Sequence, residues 1–167
     1  MAATTVVKTV CDGTIVINDG TAVTPLTYTV VLEQGNLSFT EKRDTYTDII
    51  DRCEVVGSRK SGTTPGSLSF SVFLTALTGS AESHILDMIN ATGSYSAAVS
   101  TDAGEYEGSI REVVFTMEGT DHGDANDHTI TFPKVRLEYD IAEGQPNVVN
   151  VTGTILADAT FGSSTGA

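Results

Sequence analysis

Lys134-Val135-Arg136-Leu137-Glu138-Tyr139-Asp140-Ile141 alternates without a fault, with Val135, Leu137, Tyr139 and Ile141 on one face and Lys134, Arg136, Glu138 and Asp140 on the other. A period of two is that of a β-strand with one side on a core. The charged side is either solvated or paired with opposite charges on a neighbouring subunit, and the alternation leaves both readings open.

Working outward, the same rhythm recurs. Leu68, Phe70, Val72 and Leu74 share a face opposite Ser69, Ser71, Phe73 and Thr75. The apolar run Thr14 to Ile17 meets Asn18-Asp19-Gly20, where Asp-Gly suits a tight turn. Tyr28, Val30 and Leu32 alternate with Thr27, Thr29, Val31 and Glu33, and Leu37 and Phe39 resume the period after Gly35-Asn36, which predicts a β-hairpin. Further strands are expected near 95–100, 109–118, 128–141 and 147–158. The one expected helix covers about 80–91, with Ser80 as its cap, Glu82 at the positive end of its dipole and Gly93 as its stop.

Residues 41–66 break the rhythm. Charges crowd Glu41 to Glu54, and Gly57, Gly62, Pro65 and Gly66 punctuate the rest, so a long loop is expected, of the kind that is functional or disordered. Lys42, Arg43, Arg52, Arg59 and Lys60 lie in it, five of the nine basic residues of the chain. The expected fold is therefore mainly β, a sandwich with one flanking helix, organised as a single domain over 1–158. The Gly/Ser/Thr-rich 159–167 is expected to be a free tail or an assembly arm.

A chain of 167 residues suits one core. Its 22 acidic and 9 basic residues leave a net charge of −13, which repels nucleic-acid phosphates and anionic membranes. The first dozen residues carry neither the apolar core of a signal peptide nor a membrane span, so a soluble, unexported protein is expected. Cys11 and Cys53 are too few for a disulfide framework and are read as free thiols. Asn36, Asn90 and Asn150 head glycosylation triplets that a Thr- and Ser-rich chain produces by chance.

Chemistry is sparse. Asp121, His122, Asp124, Asp127 and His128 form the densest set of metal-ligand types, but their spacing is not that of an EF-hand and the histidines lack a third soft ligand, so no metal is expected. Gly57 and Gly62 have the separation of a phosphate-binding loop, yet Thr63 stands where its Lys belongs. The histidines are His84, His122 and His128, no Ser or Cys lies in a nucleophile motif, and Glu105 and Glu107 read as solvated acids. Neither catalysis nor a cofactor is expected.

Three stretches together carry a family resemblance over nearly the whole chain. The first is Tyr28-Thr-Val-Val-Leu-Glu-Gln-Gly-Asn-Leu-Ser-Phe39 leading into the charged excursion. The second is Gly66-Ser-Leu-Ser-Phe-Ser-Val-Phe-Leu74 followed by a short helix. The third is Ile130-Thr-Phe-Pro-Lys-Val-Arg-Leu137 with Ala142-Glu-Gly-Gln-Pro-Asn147 and a closing strand from Val148 to Leu156. In this order they resemble the major tail tube proteins of long-tailed, siphovirus-like bacteriophages, which are related in fold to type VI secretion tube proteins.

The resemblance implies a tail-tube-like barrel subunit that forms stacked rings of six, with an acidic lumen through which DNA passes without specific binding. It implies self-association, with tape measure and tail tip or terminator proteins as further partners, no membrane, and a place in the virion tail after assembly in the host cytoplasm. Lys42, Arg43, Arg52, Arg59 and Lys60 become the expected inter-ring contacts. The rival readings are a calcium-dependent β-sandwich binding module using the Asp121 to His128 loop, and a capsid decoration or head-tail connector protein. Against the first, the chain has no Trp and only five Tyr for a sugar platform.

Overall fold

Alternating apolar and hydroxyl-bearing residues build strands along most of the chain. The computed structural model describes residues 13–79, 82–102, 104, 108–119 and 125–165. Its strands are β1 (Gly13–Asn18), β2 (Thr27–Thr29), β3 (Ser38–Thr40), β4 (Arg43–Asp51), β5 (Glu54–Thr64), β6 (Gly66–Phe73), β7 (Ile110–Met117), β8 (Asn126–Ala142), β9 (Val148–Ile155) and β10 (Thr160–Thr165). The α-helix α1 spans Ile85–Asn90, and a 3-10 turn covers Gly93–Tyr95.

One antiparallel sheet has the order β2-β1-β7-β8-β9-β6-β3, with β10 on β8; among the described residues β4 and β5 pair only with each other. The sheet curls around the apolar faces of its strands, placing Ile15, Ile17, Leu68, Phe70, Val113, Phe132, Val135, Val149, Val151 and Ile155 in one core. Phe39, on the edge strand β3, lies edge-on to Phe132 of the central β8 with ring centroids 5.1 Å apart, so the curl brings the edge back over the middle. Ile85, Leu86, Met88 and Ile89 of α1 join the same core. The chain is mainly β with one short helix, as the alternation implies, and the sheet is an open sandwich-like wrap that does not close.

β8 is the spine. It pairs with β7 from His128 to Arg136 and with β9 from Val135 to Ala142, while β10 covers Asn126 to Thr131. β9 and β10 run along the same edge of β8, since Ile155 faces Val135 and Thr160 faces Thr131. Pro133, which has no N–H to donate, falls where the β7–β8 register shifts and where β9 hands over to β10.

Several expectations are corrected. Residues 41–66 are a two-stranded ribbon and not an irregular loop, because Thr45, Tyr46, Thr47, Ile49, Ile50, Val55 and Val56 favour extended backbone despite the surrounding charge. Residues 27–39 do not pair as a hairpin; β2 joins β1 and β3 joins β6, so the segment between them crosses from one sheet edge to the other. Residues 95–100 hold the end of the 3-10 turn and irregular chain where a strand was expected. The helix is shorter than 80–91, beginning at Ile85 after His84 and ending at Ala91 in the left-handed region (φ 53). Ser80, the expected cap, lies outside the described residues. The 159–167 segment is no free tail over 160–165, where it is the strand β10.

Candidate functional site

The ribbon grows directly out of the sheet. Thr40 faces Ser67 in the β3–β6 pair and Arg43 faces Thr64 in β4–β5, three residues further on each strand, so one register carries through the junction. Gly66 sits at that junction because a Cβ there would lie 2.3 Å from the Thr40 carbonyl oxygen and 2.8 Å from the Lys42 nitrogen. At about 3.3 Å per residue the nine-residue β4 reaches roughly 30 Å. Every residue of β4 is exposed, and in β5 only Gly57 and Gly62 are half-buried.

The two faces of the ribbon differ. Asp44, Tyr46, Asp48 and Ile50 alternate on one side with Thr63, Lys60, Ser58 and Val55 opposite them. There Lys60 Nζ lies 2.7 Å from Asp44 Oδ1, to which the Thr63 hydroxyl also donates at 2.9 Å. These bonds hold the Asp44 carboxyl below its ordinary value, Lys60 first and Thr63 second, and the Lys60 ammonium above its own. The other side carries Arg43, Thr45, Thr47 and Ile49 with Arg59, Gly57 and Gly62 opposite, and holds no acid until Asp51 and Glu54 flank the tip.

The tip is apolar and strained. Ile49, Ile50, Val55 and Val56 are all more than half exposed, with Ile50 at 66%. The two residues that reverse the chain, Arg52 and Cys53, have φ of 47° and 71°. A two-residue turn with both central φ positive is the hairpin turn that Asn-Gly favours, and side chains larger than Gly cost about 1 kcal/mol or more there. Without Asn-Gly, nothing in the sequence marked the reversal.

The five expected contact residues therefore separate into three settings. Lys42 pairs with Asp158 at 3.1 Å, fastening the ribbon root to the β9–β10 link, and Lys60 pairs within the ribbon. Arg43 and Arg59 share the cationic face, and Arg52 is at the tip. Lys42, Arg43, Asp44, Tyr46, Lys60 and Asp158 line an open cleft of about 500 Å³ at the root. Sequence reasoning missed Asp44 and Asp158; the period-two pattern of residues 43–50 was the available signal for the first.

The charged side of β8 points away from the core. Lys134 pairs with Asp102 at 3.1 Å, Arg136 approaches Glu138 at 3.9 Å, and Glu138 and Asp140 are exposed. Beside them the same sheet surface continues as Thr152 and Asn150 of β9 and Ser69 and Ser71 of β6. The Ser71 hydroxyl donates to Asn150 Oδ1 at 2.8 Å and accepts from Asn36 Nδ2 at 3.1 Å. This surface is built of small hydroxyl and amide groups.

Of the weak metal candidates, Asp121 and Asp124 lie outside the described residues, as does His122. Asp127 Oδ1 accepts a hydrogen bond from the Gly119 nitrogen at 3.0 Å, and His128 faces Met117 on one side and Ser163 on the other. Among the described residues no three His, Cys, Asp or Glu side chains gather to hold a metal. Cys53 is a free, exposed thiol; Cys11 lies outside the described residues. No helix among the described residues is long and apolar enough to cross a membrane.

No family model matches the chain, and no curated protein does. Among solved structures, it is similar to a chain of one described as a cryo-EM structure of the anti-feeding prophage (AFP) baseplate, 6-fold symmetrised, with 12% identity over 96% of this chain and 97% of that one and a TM-score of 0.46. At that score the likeness fixes neither fold nor role.

Proposed function

We propose that the chain is a structural subunit of a bacteriophage tail tube, assembling into stacked rings, six subunits to a ring, whose acidic lumen conducts DNA. The observation that carries this reading is the ribbon: a roughly 30 Å extension in register with the core sheet, exposed on both faces and apolar at its end. An isolated two-stranded ribbon is marginal in water, and five large apolar side chains along it are a reason to be covered by another molecule. The resemblance of the three sequence stretches to tail tube proteins supports a further copy of the chain as that molecule.

The charge balance supports the same role. A surface with net charge −13 lets a polyanion slide past without adhering. No nucleophile, metal cluster or cofactor cradle enters the argument, and the protein is proposed to act by assembly alone, in the virion tail, with tape measure and tail tip or terminator proteins at the tube ends.

Negative-stain electron microscopy of the untagged chain across a concentration series, with and without calcium, tests this. Rings or tubes with a central channel are expected in both buffers. A particle that stays monomeric at every concentration and gains thermal stability from calcium favours the binding-module reading instead.

A further inference from the structure

We propose that the Arg43 and Arg59 face of the ribbon docks on the Glu138 and Asp140 row of β8 in a second copy of this chain. The inference deepens the tube reading and rests on it, since it names the surface on which the projecting ribbon lands.

Arg43 and Arg59 lie on one face, because Arg59 stands opposite Thr47 and Thr47 alternates with Arg43. Among the described residues neither forms an ion pair within the chain, whereas Lys42 and Lys60 are each engaged. From Arg43 to Arg59 the face is low, built of Thr45, Thr47 and Gly62, so another sheet surface can approach closely. The ribbon's own Asp44 and Asp48 alternate onto the opposite side, where Lys60 engages Asp44.

The remainder of the chain is the complementary surface. Residues 41–66 hold five acids and five bases and are neutral, so the whole charge of −13 resides elsewhere, on 17 acids against 4 bases. Of those bases Arg111 is buried, Lys134 is engaged by Asp102 and Arg136 leans on Glu138. Glu138 and Asp140 stand on one face of β8, the Glu138 side chain 71% exposed. The β7 pairing of β8 ends at Arg136, leaving the edge from Leu137 to Ala142 without a strand on that side among the described residues and giving a docking ribbon room beside the acids.

One copy does not satisfy itself. Along the sheet, Val135 aligns with Ile155 and Gly66 at the ribbon root, and Ala142 aligns with Val148 and Phe73 at the far end. Glu138 and Asp140 thus lie on the sheet side of the root while the ribbon departs from its other side. A contact between different patches of two copies is heterologous; where the rotation between copies does not close into a ring it continues as an open stack, the geometry a tube requires.

The test uses two full-length charge-reversed chains, R43E/R59E and E138R/D140R, assayed by light scattering and electron microscopy, with circular dichroism melts as fold controls. Each alone is expected to need at least about tenfold more protein to assemble than the wild type. An equimolar mixture is expected to assemble near the wild-type concentration, because reversed ribbons meet reversed rows and native ribbons meet native rows. R43E/R59E assembling like the wild type, or a mixture no better than its components with both melts intact, overturns the inference while leaving the tube reading in place. If E138R/D140R loses its melt, E138Q/D140N takes its place with the same expected impairment, and normal assembly of that chain counts against the proposal. A wild type that never assembles overturns the function itself.

Discussion

Asp87 is fully buried at the start of α1, and its carboxylate accepts from the Thr78 hydroxyl at 2.8 Å, the Thr92 hydroxyl at 2.8 Å and the Gly79 nitrogen at 3.0 Å. Asp19 does the same for the turn after β1, accepting from the nitrogens of Thr21, Leu26 and Val99 and from the Thr21 hydroxyl. Burial pushes both carboxyls up, but the hydrogen bonds outweigh it and hold both below the ordinary Asp value. Because the folded-state value is the lower one, the stabilisation is complete above the ordinary value of about 4 and is lost as pH falls through the folded-state values. Asp87→Asn is expected to cost about 1–3 kcal/mol at pH 7 and to flatten this acid limb, as read by urea melts between pH 7 and pH 3. An unchanged acid limb in the variant would assign the pH dependence elsewhere. Neither carboxylate was legible in the sequence, because Asp87 draws donors from two separate connections and Asp19 reaches Val99, 80 positions away. Arg111 escaped for the same reason, its guanidinium serving the Met88 and Val99 carbonyls across the core.

Among the elements, those with a strict period and one buried face were read within a residue or two, as β1, β6, β7 and β8 were; β9 began as expected but ended three residues earlier, at Ile155. The ribbon was missed because neither of its faces is buried in the single chain, so no apolar alternation separates core from solvent, and its turn lacks Asn-Gly. The hairpin expected over 27–39 failed differently: local pattern predicts strands but not which edge each one joins. Exposure on both faces makes the ribbon separable. Replacing 44–63 by Asn-Gly, so that Arg43 and Thr64 close directly on a two-residue turn, is expected to leave the melting temperature within about 3 °C of the wild type and to abolish assembly. A large drop in melting temperature would mean that the ribbon supports the core.

At the scale of the molecule the charge of −13 acts on partners and on copies alike. Fluorescently labelled double-stranded DNA is expected to remain unbound by the assembled protein even at low salt, about 50 mM, where binding through phosphate contacts is strongest. Saturable binding measured by anisotropy there would contradict a passive channel. The mainly β character and the single short helix were legible from composition and period; the curl of the sheet, which sets Phe39 against Phe132, was not.

The unbroken register from β3 and β6 into the ribbon also has a mechanical side. A pull on the tip draws β6 lengthwise against β9, to which it is paired from Gly66 to Phe73. The ladder bonds run perpendicular to that pull and are loaded together, in shear, where a peeling force would break them one at a time. A string of such subunits joined tip to body would behave as a tendon, stiff under tension along its length and yielding to a sideways tear.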